Sequence, residues 1–348
     1  MNSITLSHLT LVNFQKKFYV EGIALTTASS TTRKVKVDGK ISIRPYLGDD
    51  ENRVVNLWNK CLTRDPITTD TFRRKVLLDE NFDSDGCSVA TSDSEVIGFS
   101  LAIRRRYPYY GLDIERGKGW ITAFFVHPNF RNEGIGYRLL KGSEDFLKTR
   151  GVEEVYVSSY TPNYFAPGVD LDAYSHAHKF LKTHGYKRSE RVYSMGRSLL
   201  DFEFSSEAEK MRTSLESQGI FIRLFTPNCI TALLEFLSVN YPGDLLRVAF
   251  EQLRKNTSTD QIIVATKGKQ VIGFSHYDEE HFGPFAIDQK FMGKGVGTSL
   301  YNVTALQMKE KGQQNLWLAW ATGHAKDFYY HCGLRVTRRY EIIKKGIK

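Results

Sequence analysis

The feature of this sequence that most limits its possible folds is an internal repeat of roughly 150 residues. The pentapeptide VIGFS at residues 96–100 recurs at residues 271–275, and a glycine-rich segment follows each copy, at 131–136 and at 292–297. Two further pairs of matching segments keep the same order: 41–44 with 220–223, and 180–185 with 328–333. Because the unit is far longer than a solenoid repeat, the pattern indicates a duplicated domain.

The repeat predicts two tandem domains, at residues 40–200 and 201–348. Within a chain of 348 residues, each half is long enough to bury a core of its own. Residues 1–39 are rich in serine and threonine and lack the pattern of a secretory signal peptide. We predict that they form a flexible extension, and they do not enter the fold argument.

Composition narrows the class of protein. Hydrophobic residues make up 41% and charged residues 25%, as in folded globular proteins, and no stretch approaches the roughly 20 apolar residues of a membrane span. The four cysteines form no CxxC pair and fit no zinc ligand set, which predicts reduced thiols in a cytoplasmic protein without a metal.

Charge indicates the kind of partner. A formal net charge of +9 favours anionic partners such as a phosphate-bearing cofactor. The basic residues are scattered and no nucleic-acid motif occurs, so we predict neither a nucleic-acid nor a membrane partner. The sequence leaves open whether the chain is a monomer or a homodimer.

Both halves have the pattern of a mixed α/β fold. Each begins with a strand and a helix, continues with a hairpin, a fourth strand, a loop, a helix and a fifth strand, and closes with a helix and a pair of strands. The first half carries two insertions, at 104–119 and 160–174. Long segments at strand ends are common places for substrate contacts, and neutral surface decoration is an equal alternative.

The segment after the fourth strand can hold an anion. In residues 126–137 (VHPNFRNEGIGY) an apolar strand ends, a turn follows, and glycines lead into an amphipathic helix. Residues 287–298 (IDQKFMGKGVGT) align with it without a gap. Free backbone N–H groups and the helix dipole favour a pyrophosphate there, and glycine lets the phosphate approach the backbone. Neither copy has the ending of a P-loop or the spacing of a Rossmann loop.

These residues resemble the acetyl-CoA signature of the GCN5-related N-acetyltransferase (GNAT) superfamily, and the resemblance covers both halves. It implies an α/β fold with a mixed, mostly antiparallel sheet, helices on its faces and a splayed fourth and fifth strand. It also implies acetyl-CoA as cofactor, with loop amides on the pyrophosphate and the fourth strand on the pantetheine arm. The implied cofactor-binding residues are Phe124, Phe125, Val126, Arg131, Asn132, Glu133, Gly134, Ile135, Gly136 and Tyr137 in the first half, and Phe285, Ala286, Ile287, Gly293, Lys294, Gly295, Val296, Gly297 and Thr298 in the second.

The halves divide the features of the family between them. In the second loop Met292 takes the place of Arg131. In the helix after the fifth strand, the family often has a tyrosine proposed to protonate the leaving thiolate. Tyr329 occupies that place in the second half, whereas Leu181 occupies it in the first. The resemblance therefore implies Tyr329 as the acid, and a core aromatic residue is the alternative.

Acyl transfer to an amine also needs a general base, because an alkyl amine with a pKa near ~10.4 must lose a proton before it attacks. Our candidate is Glu280; Asp113, Glu115 and His281 are further candidates near the fourth strands. The N–H of Val126 or Ile287 is expected near the developing oxyanion, by analogy with the family. His127 is predicted to be a turn residue, and the cluster at 104–106 (RRR) either attracts an anion or is solvated.

The predicted function is transfer of an acetyl group from acetyl-CoA to a primary amine of a small molecule or a protein, by direct attack. A non-catalytic CoA-binding or interaction protein is the alternative, because one half lacks the tyrosine and the other lacks the arginine. A longer acyl donor is a third possibility. Loops without a shared motif form acceptor pockets, so the sequence leaves the acceptor open.

Overall fold

The computed structural model describes residues 41–255 and 259–347, and the predicted extension lies outside the described residues. The strands are β1 (Ser42–Pro45), β2 (Cys87–Ser92), β3 (Glu95–Ile103), β4 (Lys118–Val126), β5 (Glu154–Val157), β6 (Val169–Asp170), β7 (Lys187–Ser198), β8 (Ile220–Leu224), β9 (Ile262–Lys267), β10 (Gln270–Asp278), β11 (His281–Ile287), β12 (Asn315–Ala321) and β13 (Arg335–Gly346). The helices are α1 (Glu51–Cys61), α2 (Thr69–Phe72), α3 (Ile135–Thr149), α4 (Ser175–Thr183), α5 (Ser206–Ser217), α6 (Ile230–Asn240), α7 (Asp244–Lys255), α8 (Val296–Glu310) and α9 (Gly323–His331).

The strands form one continuous mixed sheet, which confirms the predicted fold class. Within the described ranges its order is β1-β2-β3-β4-β5-β13-β7-β12-β11-β10-β9-β8, and β6 adds a short pairing to β13. From each outer edge inwards, the equivalent strands of the two halves follow in the same order, and β13 and β7 lie at the centre. The sheet therefore has the twofold symmetry that a duplicated domain predicts.

The two halves exchange their last strands. In the first half β13 lies between β5 and β7, and in the second half β7 lies between β12 and β13. At the centre Val192 pairs with Tyr340 in an antiparallel register. The sequence predicted a closing pair of strands in each half, whereas each half supplies one long strand and takes the other from its neighbour. Pairing both long strands this way leaves no unpaired edge in the middle of the sheet.

The cores follow the exchange. Ile343 and Ile347, at the end of the chain, are buried with Val155 and Leu181 of the first half. Met195 of β7 is buried with Leu316 in the core of the second half. The predicted boundary at residue 200 remains a prediction, because residues on each side of it complete the core on the other side.

The fourth and fifth strands of each half separate, as predicted. β4 pairs in parallel with β5 from Lys118 to Ile121, and β11 pairs with β12 only at His281. Beyond those points the strands diverge towards their carboxyl ends. In both halves a helix follows the fourth strand, and α3 buries one apolar face with Ile135 and Leu139.

Both insertions of the first half make contacts that bridge the two halves. The Tyr109 hydroxyl donates to Asp244 Oδ1 at 2.8 Å and accepts a hydrogen bond from Arg247 Nε at 2.8 Å. β6, in the second insertion, pairs with β13. In the part of the chain that the structure describes, no helix is long and apolar enough to cross a membrane.

Candidate cofactor-binding site

A cavity of about 540 Å³ opens in the first half, at the carboxyl end of β4 where β4 leaves β5. Helices α3 and α4 and the end of α1 form its other walls. Its lining residues are Cys61, Leu62, Phe124, Phe125, Val126, Arg131, Asn132, Gly134, Gly136, Tyr137, Tyr174, His176, Ala177, Phe180 and His184. A cavity of this size fits an extended arm of a ligand in the gap between the two strands.

The cavity brings together most of the cofactor-binding residues predicted for the first half. Two of the predicted residues do not line it. Ile135 turns its side chain into the core beside Ile97 and Leu139, and Glu133 is exposed. Sequence reasoning missed the lining residues from α1 and α4 and from the turns beside them. Phe180 and His184 belong to a repeated segment, and Tyr174 ends the second insertion. The other lining residues carry no local signal, because their approach to β4 depends on tertiary packing.

The loop between β4 and α3 exposes backbone donors. Asn129 N donates to His127 Nδ1 at 3.2 Å, so His127 caps the turn as a structural residue. Arg131 Nε donates to the carbonyl of Val126 at 3.2 Å. Gly134 is the residue before α3, with φ of +77°, a conformation that favours glycine. The first amides of α3 have no partner within the helix and lie at its positive end, so this loop can bind an anion.

The edge of β4 offers backbone groups to the cavity. His127 N donates to Ile97 O, and Phe125 is registered opposite Phe99. Since hydrogen-bonded pairs alternate along an antiparallel ladder, Phe125 bonds to β3, and the backbone groups of Phe124 and Val126 turn to the other side. They face the gap that β5 leaves, where an amide-containing arm can pair with them.

The corresponding loop of the second half is covered at Gly295. Gly295, with φ of +82°, precedes α8 as Gly134 precedes α3. A Cβ built on Gly295 would lie 2.3 Å from the Met211 sulfur, because α5 lays this side chain over the loop. By contrast, apart from its chain neighbours, no atom of the described chain lies within 4 Å of a Cβ built on Gly134. The first loop is open to a ligand at this glycine, whereas an exposed methionine side chain lies over the matching glycine of the second.

The edge of β11 also differs from that of β4. Ala286 is registered opposite Phe274, so the carbonyl of Ile287 faces the gap beside β12. The hydroxyl of Tyr241 donates to that carbonyl at 2.5 Å. In the first half the matching carbonyl, that of Val126, accepts hydrogen bonds from Arg131 Nε and, at 3.6 Å, from the Cys61 thiol. Both carbonyls are thus bound by side chains of the protein, but the donor is a tyrosine of α6's C-terminal end in the second half and an arginine of the loop in the first.

The predicted acid, Tyr329, lies among aromatic rings. Its ring centroid is 6.0 Å from Phe282 and 6.2 Å from Phe285, and the residue is 8% exposed. Burial raises the pKa of its hydroxyl, with smaller contributions from Cys332 and Tyr301. The matching residue of the first half, Leu181, is buried in the core and has no proton to donate.

The predicted base, Glu280, lies at the other end of β11 from Ile287. Its Oε1 accepts hydrogen bonds from Asn315 N and Asn315 Nδ2, both at 3.0 Å. The strand pair is closed there, since His281 is registered with Trp317. The structure therefore does not bring Glu280 next to the loop that carries Gly295.

The other charged candidates are held by nearby groups. Asp113 accepts from Ile114 N at 2.7 Å, and Glu115 forms an ion pair with Lys118 at 2.8 Å. Arg104 donates to the carbonyl of Arg150, and Arg106 donates to those of Glu80 and Phe82. Arg105 is buried against three aromatic rings. These arginines serve local structure.

The charge of the cavity suits a phosphate ligand. Arg131 is a permanent cation in its wall. Burial, and then the charge of Arg131, lower the pKa of His176, so this imidazole is neutral near pH 7. The hydroxyl of Tyr174 is both a donor and an acceptor: it donates a hydrogen bond to Asp65 Oδ2 at 2.8 Å and accepts one from Arg64 N at 3.2 Å. The cavity can hold an anion at its loop end and an apolar arm along Phe124 and Phe125.

The thiol of Cys61 is expected to resist alkylation. Burial raises its pKa to about 11, and the thiolate is the nucleophile. At pH 8 we expect Cys61 to react with iodoacetamide at least about 10-fold more slowly than a thiol of pKa about 8.5, allowing for the greater nucleophilicity of a more basic thiolate. Mass spectrometry of the Cys61 peptide measures the rate, with urea-unfolded protein as control. A rate that levels off below pH 9 would contradict the raised pKa.

Two family models match the chain, one in each half. The first, described as the acetyltransferase (GNAT) family, covers residues 52–186, and the second, described as a GNAT acetyltransferase domain, covers residues 245–348. An acetyltransferase of Pectobacterium atrosepticum is 28% identical over 117 residues, which are 34% of this chain and 74% of that protein.

Solved structures share the fold over most of the chain. A GCN5-related N-acetyltransferase from Sphaerobacter thermophilus has a TM-score of 0.62 at 18% identity, over 88% of this chain and 96% of that one. A tandem GNAT protein of the clavulanic acid biosynthesis pathway has a TM-score of 0.56 at 13% identity, over 89% and 99%. A GCN5-related glucosamine N-acetyltransferase region of a fungal multi-domain GH3 β-N-acetylglucosaminidase has a TM-score of 0.72 at 17% identity; it covers 89% of this chain, which spans only 38% of that protein.

Proposed function

Because the chain belongs to the GNAT superfamily as a tandem two-domain member, we propose that it is an N-acetyltransferase that binds acetyl-CoA in its first half. The observation that carries the proposal is the contrast between the two loops. Gly134 opens onto a cavity, whereas the matching Gly295 lies under Met211. In this proposal the second half is a structural partner, which supplies β13 and the contacts around Tyr109.

The first half has the groups that binding requires. The amides at the start of α3 and the guanidinium of Arg131 would hold the pyrophosphate, whose charge they complement. The edge of β4, at the backbone groups of Phe124 and the N–H of Val126, would pair with the amides of the pantetheine arm. The same edge would place the N–H of Val126 near the thioester carbonyl, where a donor stabilises the oxyanion of the tetrahedral intermediate.

Proton transfer does not need the family tyrosine in this half. A thiol with a pKa of roughly 8.5 is a tolerable leaving group as its thiolate, so Leu181 slows the reaction without preventing it. The amine must be deprotonated before attack, and water in the open cavity can relay its proton. Tyr329 and Glu280, the acid and base predicted for the second half, have no catalytic role in this proposal.

The test is turnover with acetyl-CoA on a panel of primary amines. A thiol reagent measures the CoA that is released. We expect amine-dependent release by the wild type, and a change within about 2-fold for Tyr329→Phe, because Tyr329 belongs to the covered half. A loss of about 100-fold in Tyr329→Phe would instead place the reaction in the second half. No acetyl-CoA binding at millimolar concentration would overturn the proposal.

A second function is favoured by one observation. Leu181 leaves the first half without the usual acid, as expected of a CoA-binding protein that does not catalyse transfer. That reading predicts binding of acetyl-CoA at the first loop and no turnover on any amine of the panel. Calorimetry and the release assay on the same preparation separate the two functions.

A further inference from the structure

An arginine of the second half lies between two acids of the first, of which Asp170 is buried and Asp65 is largely shielded from solvent. Arg338, on the exchanged strand β13, donates from Nη1 to Asp65 Oδ1 at 2.6 Å and from Nη2 to Asp65 Oδ2 at 2.8 Å. Its Nε donates to Asp170 Oδ2 at 2.8 Å. The side chains of Asp65 and Asp170 are only 12% and 1% exposed. Such a fork between two carboxylates uses the geometry of a guanidinium, which an ammonium lacks.

Asp65 also connects Arg338 to the wall of the cavity. Its Oδ2 also accepts the hydroxyl of Tyr174 at 2.8 Å, and Tyr174 lines the cavity. Its backbone carbonyl accepts Trp58 Nε1 at 2.8 Å, and Trp58 packs edge-on against Phe125 of β4. Asp65 therefore joins Arg338 to side chains at two sides of the cavity.

Asp170 holds the turn that leads into α4. Its Oδ1 accepts the backbone N–H groups of Asp172 and Ala173, both at 2.9 Å, and its carbonyl accepts Tyr174 N at 3.0 Å. The next residues of α4, His176 and Ala177, line the cavity. The entry of α4 is thus fixed through a carboxylate whose charge is matched by Arg338.

We propose that Arg338 is a positioning residue, which holds Tyr174 and the entry of α4 in the geometry that binds acetyl-CoA. Without it the two carboxylates lose their counter-charge, and the Tyr174 hydroxyl is no longer held by a fixed acceptor. Cofactor binding in the first half then depends on a side chain donated by the last strand of the second. The inference rests on the proposed function, because acetyl-CoA is the ligand.

The neighbouring residue provides a matched control. Arg339 is on the same strand and forms an ion pair with Asp172 at 2.6 Å, but both side chains are at least half exposed. Such a pair contributes little to stability, on the order of 0–1 kcal/mol. Arg339→Gln removes the same charge as Arg338→Gln without touching Asp65 or Tyr174, so it isolates the effect of position from that of charge.

The experiment is calorimetric titration of the full chain with acetyl-CoA, at a temperature where circular dichroism shows each variant folded. We expect Arg338→Gln to weaken binding about tenfold, Arg338→Lys to restore little of it, and Arg339→Gln to bind within about 2-fold of wild type. In a Tyr174→Phe background, the loss of acetyl-CoA affinity caused by Arg338→Gln should be smaller than in the wild type by a factor of at least about three, because the two residues act through one contact.

The outcomes distinguish the inference from the proposed function. Suppose that the wild type binds acetyl-CoA. If Arg338→Gln then binds equally well, or if it lowers the affinity by the same factor with Tyr174 and with Phe at that position, Arg338 does not act through Tyr174. If the wild type itself does not bind, the proposed function fails. Should Arg338→Gln not fold, Asp65→Asn takes its place, since it keeps the shape at the centre of the network and weakens both contacts; wild-type affinity in that variant would overturn the inference.

Discussion

Replacing Gly134 with glutamate is expected to weaken acetyl-CoA binding by at least about 100-fold, which corresponds to about 2.7 kcal/mol. Gly134 lines the cavity, and a Cβ built there meets no described atom within 4 Å apart from its chain neighbours, so a longer side chain has room to extend into the space of the ligand. The new carboxylate would face the pyrophosphate in the loop, where like charges repel and the helix dipole no longer compensates. Calorimetric titration measures the change.

Gly295→Glu is the matched control, because Gly295 has the same place and the same left-handed conformation in the second half. Both substitutions cost stability of about 1–2 kcal/mol for the backbone conformation, and Gly295→Glu must also displace Met211. We expect this variant to have a lower melting temperature and acetyl-CoA affinity within about 2-fold of wild type. If Gly295→Glu abolishes binding and Gly134→Glu does not, the cofactor site lies in the second half.

Neither half of the chain is expected to bind acetyl-CoA when it is produced alone, although every lining residue of the cavity lies in the first half. A fragment of residues 1–203 lacks β13, so β5 has an open edge and the core lacks Ile343 and Ile347. Each missing core side chain costs about 2–5 kcal/mol, against a total stability of about 5–15 kcal/mol for a domain. Mixing this fragment with residues 204–348 during refolding should restore binding, measured by calorimetry.

Two point variants test the same idea in the intact chain. Ile343 and Met195 are fully buried residues at matching places on β13 and β7, and each lies in the core of the other half. Ile343→Ala and Met195→Ala should each lower stability by about 2–5 kcal/mol. Only Ile343→Ala should also weaken acetyl-CoA binding, because its core supports α4 through Leu181. A fragment 1–203 that folds and binds with wild-type affinity would refute the dependence on β13.

Much of the site is visible in the sequence because it depends on local backbone geometry. The glycines around Gly134 and Gly295, each at the start of a helix after an apolar strand, predict the anion-binding turn without any tertiary contact. The repeat of VIGFS aligns the two halves. The residues of α1 and α4 that complete the cavity, such as Cys61 and Ala177, could not be predicted, because no pattern states which helix ends meet the edge of β4.

The sequence alone determined the duplication, the mixed α/β class and the position of the two loops, since periodicity and turn chemistry act over a few residues. The splayed strand pair was implied by the resemblance to the family. Only the tertiary structure decided that β7 and β13 exchange places. The alternation of apolar and polar residues along a strand specifies which of its faces is buried, and it does not specify which strand pairs beside it. The same holds for Met211, an ordinary residue of a polar helix, which covers Gly295 through packing alone. Contacts between residues far apart in sequence therefore decide which of two similar loops is open to a ligand.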